Sequence, residues 1–277
     1  MIKPIYPCLW FDGQAKEAAQ FYTSIFKSTI TSENPMVVIF EICGKKIMAL
    51  NGGPQFKTNP SISFFVTCST EPEVDTIWNA LLTDGKTLMP LNNYPWSKKY
   101  GWLQDRFGMT WQIMLSNEPI QQPVLTPSFL FTKERFGKGE EAIHFYTSAF
   151  EHSKINLLQH YPKEDSNAGK LLYSEFQLND YPMIAMDGPG AHEYSFNEAV
   201  SLVVECETQN EIDQLWNTFT KEGKESMCGW CQDKFGVWWQ IVPSILSKLM
   251  SDPTRSQRVM QAFLKMKKFN IQKLLEA

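Results

Sequence analysis

The first quarter of the chain switches between two hydrophobic periods. A short apolar run at residues 8–11 precedes a segment whose apolar residues recur at intervals of three and four, which is typical of an amphipathic helix. The apolar stripe of this helix consists of Ala18, Phe21, Tyr22, Ile25 and Phe26. Apolar runs with strand character follow at residues 37–42, 46–50 and 61–68. The pattern predicts a strand, a helix and a series of short strands.

A second helix is predicted after these strands. Its apolar stripe consists of Val74, Ile77, Trp78, Leu81 and Leu82. Thr70 is the expected N-cap because a glutamate follows three residues later, and Gly85 marks the end of the helix. Two closing strands, at residues 101–104 and 110–115, are joined by a tight turn that starts at Asp105.

The same pattern then occurs a second time. KEAAQFYTSIF (residues 16–26) recurs as EEAIHFYTSAF (140–150). GWLQDRFGMTWQI (101–113) recurs as GWCQDKFGVWWQI (229–241), with nine of the thirteen residues identical. The order of the elements is preserved and only the spacing between them drifts, as expected when insertions fall in surface loops. The chain is therefore predicted to contain two copies of one domain.

We predict an α+β protein with two tandem domains, residues 1–122 and 123–250. Each domain consists of two βαβββ modules. Residues 251–277 are predicted to form a basic amphipathic helical tail. A helix of this kind binds membranes or partners in some proteins, but we expect this one to dock on its own domain or on a second chain.

Composition narrows the functional classes. The 277 residues include 26 Lys and Arg against 30 Asp and Glu, a formal charge of −4 that gives no electrostatic reason to expect nucleic acid as a partner. Apolar runs such as Met36 to Phe40 are too short to span a bilayer. The N-terminus lacks the apolar region and cleavage site of a secretory signal. A cytoplasmic location without membrane association is predicted, which also suits a chain whose cysteines do not suggest a disulfide framework.

Cys228 and Cys231 form the one C-x-x-C of the sequence. In the first copy Leu103, an apolar strand position, stands where Cys231 stands in the second. Residues three apart on a strand point to opposite faces, with α-carbons about 10 Å apart, whereas a disulfide needs less than about 7 Å. A zinc site would need a second pair of ligands. We interpret the pair as two thiols on a strand; a redox role requires this strand assignment to be wrong.

Four segments carry a resemblance to a known family: CLWFDGQAKEAAQFYTSIF, MALNGGP, MPLNNYPWSKKYGWLQDRFGMTWQI with its second copy, and the C-terminal tail. The chain resembles the vicinal oxygen chelate superfamily of glyoxalases, bleomycin-resistance proteins and extradiol dioxygenases. Within it, the chain is most similar to the PhnB-like branch, which carries the name 3-demethylubiquinone-9 3-methyltransferase. The resemblance implies two curved mixed sheets, each around a cavity that holds the ligand, with modules exchanged between the halves.

The metal enzymes of this superfamily hold a divalent ion with His, Glu or Gln from separate strands. Gln112 and Gln240 stand where the last strand supplies a carboxylate, and Trp10 and Phe131 stand in the first strand. Ser61 and Ala199 open the strand after the crossover. We therefore predict no metal ligand and no cofactor, with a divalent metal as the alternative. The methyltransferase name implies a nucleotide methyl donor, but the chain has no G-x-G-x-x-G.

Polar and aromatic side chains repeated in both copies are the candidates for a ligand pocket. They are Trp10, Asn51, Ser63, Trp102, Gln104, Gln112, Phe131, Asp187, Ser201, Trp230, Gln232 and Gln240. A pocket with indole rings at its base and side-chain amides at its rim suits a planar or zwitterionic small molecule. The alternative for each residue is a purely structural role in the core.

The segment Asn92–Tyr100 exists in the first copy alone and offers Trp96, Lys98 and Lys99 as lid or anion-binding candidates. The alternative is a solvated hairpin extension.

The sequence predicts a small-molecule binding protein that works without metal. The alternatives are an enzyme of the superfamily with a non-standard site, of lyase, dioxygenase-like or methyltransferase type, and an interaction scaffold. The expected partner is a small-molecule ligand, and the sequence does not decide between a monomer and a homodimer.

Overall fold

The structure is a computed structural model that describes residues 5–277. The first repeat contains β1 Ile5–Phe11, α1 Ala15–Phe26, β2 Ile30–Glu33, β3 Val37–Ile42, β4 Lys45–Asn51, β5 Ile62–Cys68, α2 Glu71–Leu81, β6 Lys86–Tyr94, β7 Ser97–Gln104 and β8 Thr110–Leu115. Both predicted helices are present. Strands β2 and β6 were not recognised in the sequence, and both lie at sheet edges, where few of their side chains are buried.

The second repeat follows the same order of elements. It contains β9 Val124–Phe131, a 3₁₀ turn Lys133–Arg135, α3 Gly139–Ala149, β10 Lys154–His160, β11 Leu171–Leu178, β12 Tyr181–Asp187, β13 Val200–Cys206, α4 Gln209–Thr220, β14 Lys224–Glu225, β15 Trp230–Gln232 and β16 Trp238–Pro243. The tail contains α5 Ile245–Ser251, α6 Ser256–Phe263 and α7 Ile271–Glu276. Each repeat is thus two βαβββ modules.

Two mixed sheets of eight strands each are formed. Sheet 1 has the order β14-β15-β16-β13-β1-β4-β3-β2 and joins the first module to the fourth. Sheet 2 has the order β10-β11-β12-β9-β5-β8-β7-β6 and joins the second module to the third. The two halves therefore exchange modules, as the resemblance implied. The segments 1–122 and 123–250 remain repeats of the sequence, while each sheet draws one module from each.

Helices α1 and α3 lie in the core between the two sheets. Tyr22 of α1, whose module belongs to sheet 1, packs against Trp111 of sheet 2, with ring centroids 5.2 Å apart. Tyr146 of α3 packs in the same way against Trp239 of sheet 1, at 5.3 Å. Apolar side chains from both sheets and all four long helices thus form one contiguous core.

The face of each sheet turned away from this core is called its open face. In β1, Leu9 and Phe11 belong to the core, so the alternating residues Tyr6, Cys8 and Trp10 lie on the open face of sheet 1. In sheet 2 the open face carries a separate apolar cluster centred on Phe65, Tyr100 and Ile184. Side chains on the open faces are therefore available to a ligand without disturbing the helix-packed core.

The C-terminal tail docks on its own chain, in agreement with the expectation, but it is not one continuous helix. Helix α6 ends at Phe263, and the backbone then runs alongside Cys228 and Gly229, whose N–H groups donate to Met266 O and Lys267 O at 2.7 Å each. Phe269 is 2% exposed. The predicted amphipathic pattern is divided between two short helices because the intervening segment pairs with the sheet edge.

The two C-x-x-C cysteines point to different surroundings. Cys231 lies in β15 and is fully buried in the helix-packed core. Cys228 precedes the strand with φ of 58°, and its thiol lies 3.7 Å from Phe263 O. Both thiols are free, and burial raises the pKa of each above its ordinary value. The pair does not form a dithiol site.

The helices described within residues 5–277 are all too short or too polar to cross a lipid bilayer.

Candidate functional site

A diagonal row of polar side chains crosses each open face. In sheet 1 the row contains Cys8, Ser201, Gln240 and Trp230; in sheet 2 it contains Ser128, Ser63, Gln112 and Trp102. Strand pairing places Cys8 opposite Ser201 and Trp230 opposite Gln240. Gln240 lies opposite Val203, two residues along β13 from Ser201, so the row runs diagonally. We call these the polar rows. They bring predicted candidates from distant parts of the sequence together.

The glutamines at the centre of the polar rows are held by neighbouring side chains. Gln112 Nε2 donates to Ser63 Oγ at 2.8 Å, and Tyr100 Oη donates to Gln112 Oε1 at 2.5 Å. In sheet 1, Gln240 Nε2 donates to Ser201 Oγ at 2.9 Å. Both amides are thereby fixed in orientation, because each is buried and engaged.

Cys8 is the thiol of the sheet 1 row. Burial raises the pKa of Cys8 to about 12, against the opposing effect of hydrogen bonds from Gln240 and Ser201. The thiol is therefore neutral at physiological pH and is a poor nucleophile. The corresponding position in sheet 2 is Ser128, whose Oγ has no hydrogen-bond partner.

Unpartnered buried polar atoms concentrate on the open faces. Within residues 5–277, four such side-chain atoms are found: Trp102 Nε1, Ser128 Oγ, Trp238 Nε1 and Tyr181 Oη. The first two belong to the polar row of sheet 2, and Trp238 lies beside the row of sheet 1, opposite Gln232. Tyr181 faces the helix-packed core. A buried donor of this kind needs a partner from outside the protein, either water or a ligand.

Sheet 1 also carries a charged group that the sequence reasoning missed. Tyr6 Oη donates to Glu205 Oε1 at 2.8 Å, and Lys46 Nζ lies 2.7 Å from the same oxygen and 3.9 Å above the Tyr6 ring. The equivalent positions in sheet 2 are Thr67 and Thr126. The signal in the sequence was a glutamate placed near the end of an otherwise apolar buried strand. The two open faces therefore differ at this position.

Five predicted candidates lie elsewhere or are engaged locally. Gln104 and Gln232 sit on the open faces but donate to Gly108 O and Gly236 O, closing the hairpin turns at 2.8 and 3.0 Å. Phe131 lies fully buried in the helix-packed core, because register makes Leu130, not Phe131, the counterpart of Trp10.

The other two, Asn51 and Asp187, anchor helix N-termini. Asn51 Oδ1 accepts the N–H of Ala15 at 2.9 Å, at the start of α1. Asp187 accepts the N–H groups of Gly137, Gly139 and Leu171 at 3.0, 3.1 and 2.8 Å. Burial raises the pKa of Asp187, while these three hydrogen bonds act in the opposite direction. Both side chains face the core side, so their role in this structure is to fix the helices.

The predicted lid segment forms the tip of the β6–β7 hairpin. Trp96 is 49% exposed and stacks on Tyr94, with ring centroids 5.0 Å apart. Lys99 Nζ binds Asp75 of α2 at 2.7 Å, which directs its charge away from the open face. Lys98 is exposed. Of the lid candidates, Trp96 approaches the open face, because it also contacts Tyr100 at 5.5 Å.

A groove of about 430 Å³ lies between the end of α3 and helix α4, lined by His152, Gln214 and Leu215 among others. None of the predicted site residues lines it. The groove lies apart from both polar rows.

Comparison with known proteins gives the family. The family model for 3-demethylubiquinone-9 3-methyltransferase matches residues 3–114 and 123–242. The chain belongs to this family. A PhnB protein of Bacillus cereus is 40% identical over 39% of this chain and 96% of its own, with a TM-score of 0.37. Among curated proteins none matches.

Solved structures show which known fold this chain is similar to. Glyoxalase I of Zea mays covers 90% of this chain and 96% of its own with a TM-score of 0.60, at 13% identity. A Staphylococcus aureus protein is 34% identical over 42% of this chain and 98% of its own, with a TM-score of 0.19. The likeness to glyoxalase I concerns the fold alone.

The open faces of this 3-demethylubiquinone-9 3-methyltransferase family member do not fit a divalent metal ion. The two glutamines are neutral and are already engaged by serine or tyrosine hydroxyls. Among residues 5–277, no three His, Cys, Asp or Glu side chains come close enough to hold an ion. The family name implies a nucleotide methyl donor, but the described sheets are mixed βαβββ sheets and offer no doubly wound nucleotide site.

Proposed function

We propose that this protein binds a small organic molecule on the open faces of its sheets, without a metal ion. The observation that carries this proposal is the set of buried, unpartnered polar atoms there: Trp102 Nε1, Ser128 Oγ and Trp238 Nε1. Leaving a buried donor without a partner costs about 1–3 kcal/mol. In a ligand-binding site this destabilisation is present in the ligand-free state and is removed when the ligand supplies the missing hydrogen-bond partner.

The surroundings define the ligand that sheet 2 suits. Trp102 Nε1 and Ser128 Oγ lie at the two ends of one polar row, and the face beyond them carries Phe65, Ile184 and Met186. An indole N–H donates only, so the ligand presents a hydrogen-bond acceptor such as a carbonyl or carboxylate oxygen. The aromatic and thioether side chains provide apolar contact for the rest of a planar molecule.

The chemistry of the polar row in sheet 2 supports binding without a metal ion. Gln112 Oε1, the atom that would coordinate an ion, accepts a hydrogen bond from Tyr100 instead. Its neighbours Ser63 and Thr110 are neutral hydroxyls, which are weak ligands for Mn, Fe, Ni or Zn.

The test is a thermal-shift screen of EDTA-treated protein with small aromatic acids, amides and antibiotics. A ligand that binds the native state raises the melting temperature. The variant Trp102→Phe keeps an aromatic ring and removes the donor, so it is expected to weaken the response. Trp216→Phe is the matched control, because Trp216 lies on α4 in the core and donates to Glu225, away from both polar rows. A response that appears only after a divalent ion is added would contradict metal independence.

A second candidate function, an enzyme of the vicinal oxygen chelate type, is supported by the carboxylate of Glu205 on the open face of sheet 1. Glu205 is held by Tyr6 and Lys46, an arrangement that positions a proton-transfer group. Conversion of a bound ligand, followed by NMR and abolished in Glu205→Gln with binding retained, would favour the enzyme over the binding protein.

A further inference from the structure

Four aromatic rings lie in contact one after another on the open face of sheet 1, and we call them the aromatic cluster: Phe56, Trp10, Trp230 and Trp238. The ring of Trp10 lies 5.0 Å from Phe56 and 5.9 Å from Trp230, in edge-to-face geometry at 78° and 81°. Trp230 lies 6.4 Å from Trp238 at 59°. The rings come from β1, from the loop after β4, and from β15 and β16. Their approach from three different directions produces a set of non-parallel ring faces.

The position of Trp10 is fixed by the backbone. Its Nε1 donates to Gly53 O at 2.7 Å, and the glycine at position 52 lies so close that a β-carbon there would be 2.2 Å from the indole ring. Trp10 therefore cannot turn away from the cluster. Trp10, Phe56 and Trp230 are nevertheless only half-buried, so parts of their rings stay accessible.

The cluster contains no cation of its own. Within residues 5–277, Lys and Arg lie over the rings of Tyr6, Phe21, Phe107, Phe145, Tyr181 and Phe235, and over none of the four cluster rings. Aromatic faces carry negative electrostatic potential, and three or four non-parallel rings are the arrangement that attracts a quaternary ammonium group.

Trp238 adds a donor to this arrangement. It is 9% exposed, and its Nε1 has no hydrogen-bond partner. The cluster thus combines ring faces that attract a cation with a buried N–H that requires an acceptor. A small zwitterion with a short linker meets both requirements, because its ammonium group contacts the ring faces and its carboxylate accepts from the N–H.

Sheet 2 lacks this combination. Its counterparts of Trp10 and Trp238 are Leu130 and Thr110, so only Trp102 remains of the three indoles. The difference assigns the two open faces to different ligand classes.

We propose that the aromatic cluster of sheet 1 binds a small organic cation of the trimethylammonium type, with a carboxylate on the same molecule accepting from Trp238. This inference rests on the proposed function in that it names the ligand class for one of the two open faces.

The experiment is isothermal titration of the full chain with three probes: glycine betaine, choline, and 3,3-dimethylbutanoate, the neutral-carbon counterpart of betaine. Betaine is expected to bind at least about tenfold more tightly than 3,3-dimethylbutanoate, which corresponds to about 1.4 kcal/mol. Trp238→Phe keeps a smaller aromatic ring and removes the donor. It is expected to weaken betaine about fivefold more than choline, which has no carboxylate.

Trp10→Leu introduces the side chain that sheet 2 carries at this position and is expected to weaken betaine and choline alike. If Trp10→Leu does not fold, Phe56→Leu in the adjoining loop tests the same ring set. Equal binding of 3,3-dimethylbutanoate and betaine would overturn the cation assignment while leaving the proposed function in place. Binding by none of the three probes would also overturn the assignment. The proposed function is tested separately, by the effect of Trp102→Phe in the thermal-shift screen.

Discussion

Tyr22 donates its phenolic hydroxyl to Asp105 over 2.8 Å, although the two residues are 83 positions apart in the chain. Asp105 also accepts from Trp111 Nε1 at 2.7 Å and from two backbone N–H groups of its own turn. Asp233 repeats every one of these contacts in the second repeat, with Tyr146 as the helix residue. Because α1 and α3 lie between the sheets, each aspartate ties a helix of one sheet's module to a hairpin of the other sheet.

Removing the helix hydroxyl is expected to loosen this connection. Tyr22→Phe and Tyr146→Phe should each lower the free energy of unfolding by about 1.5–3 kcal/mol, the range for hydrogen bonds to a charged group. Their effects should add, since the two sites share no partner. Tyr94→Phe, which loses a bond to Pro90 O at an exposed position, is the control and should change stability by less than about 0.5 kcal/mol. Denaturant unfolding measures all three, and equal losses in all of them would contradict the proposed connection.

The same aspartates predict a pH dependence of stability. Burial raises the pKa of Asp105 and Asp233 to about 6, although their hydrogen bonds favour the charged form. The pKa of an aspartate in the unfolded chain is about 3.9. Between about pH 3.9 and 6, the folded state therefore holds a proton that the unfolded chain has released. This contribution to stability is fully present below about pH 4 and is lost as pH rises through 6.

Asp105→Asn removes the titration at one site. The stability of the wild type relative to this variant should fall by about 3 kcal/mol between pH 4 and 7, at about 1.4 kcal/mol for each pKa unit. Urea unfolding at several pH values measures the difference. A difference that increases with pH would show that the hydrogen bonds outweigh burial and hold the pKa below its ordinary value.

Asp187 and Asn51 are expected to act on stability and not on ligand binding. Asp187→Ala leaves three backbone N–H groups without a partner and should cost about 2–4 kcal/mol. Asn51→Ala removes the bond that Ala15 N donates and an exposed bond to Pro35 O, and should cost about 1 kcal/mol, as for other helix caps. Ligand affinity measured on the folded fraction should be unchanged in both variants. A loss of affinity without a loss of stability would show that these residues belong to the binding site.

Gly229 controls the docking of the tail. A β-carbon at this position would lie 2.5 Å from the ring of Phe269 and 2.7 Å from Ile241 O. Gly229→Ala should therefore release the tail and accelerate its proteolysis. Gly13→Ala is the matched control, because Gly13 has nearly the same φ, 77° against 80°, and nothing within 4 Å of its β-carbon. The control isolates the cost of the left-handed backbone, about 1–2 kcal/mol. Equal proteolysis of both variants would contradict the packing explanation.

The sequence predicted the features that depend on local pattern. Thr70 is the N-cap of α2, where its hydroxyl accepts the N–H of Glu73, and the internal repeat correctly indicated a tandem fold. Features that depend on partners far apart in the chain could not be predicted from the local sequence pattern. Asp105 was read as a turn residue because its partner Tyr22 lies far away in the sequence. Phe131 was placed one position out of phase, and in a strand a shift of one residue moves the side chain to the other face.

The most direct test of ligand binding at the open faces is an NMR titration of the indole N–H signals in ¹⁵N-labelled, EDTA-treated protein. Trp102 and Trp238, whose Nε1 atoms have no partner, should shift on addition of ligands from the screen, with assignments taken from the phenylalanine variants. Trp111 and Trp239, whose Nε1 atoms are bound to Asp105 and Asp233, should stay in place. Shifts confined to Trp111 and Trp239, or shifts at Trp102 and Trp238 that appear only with a divalent ion, would contradict a metal-independent site on the open faces.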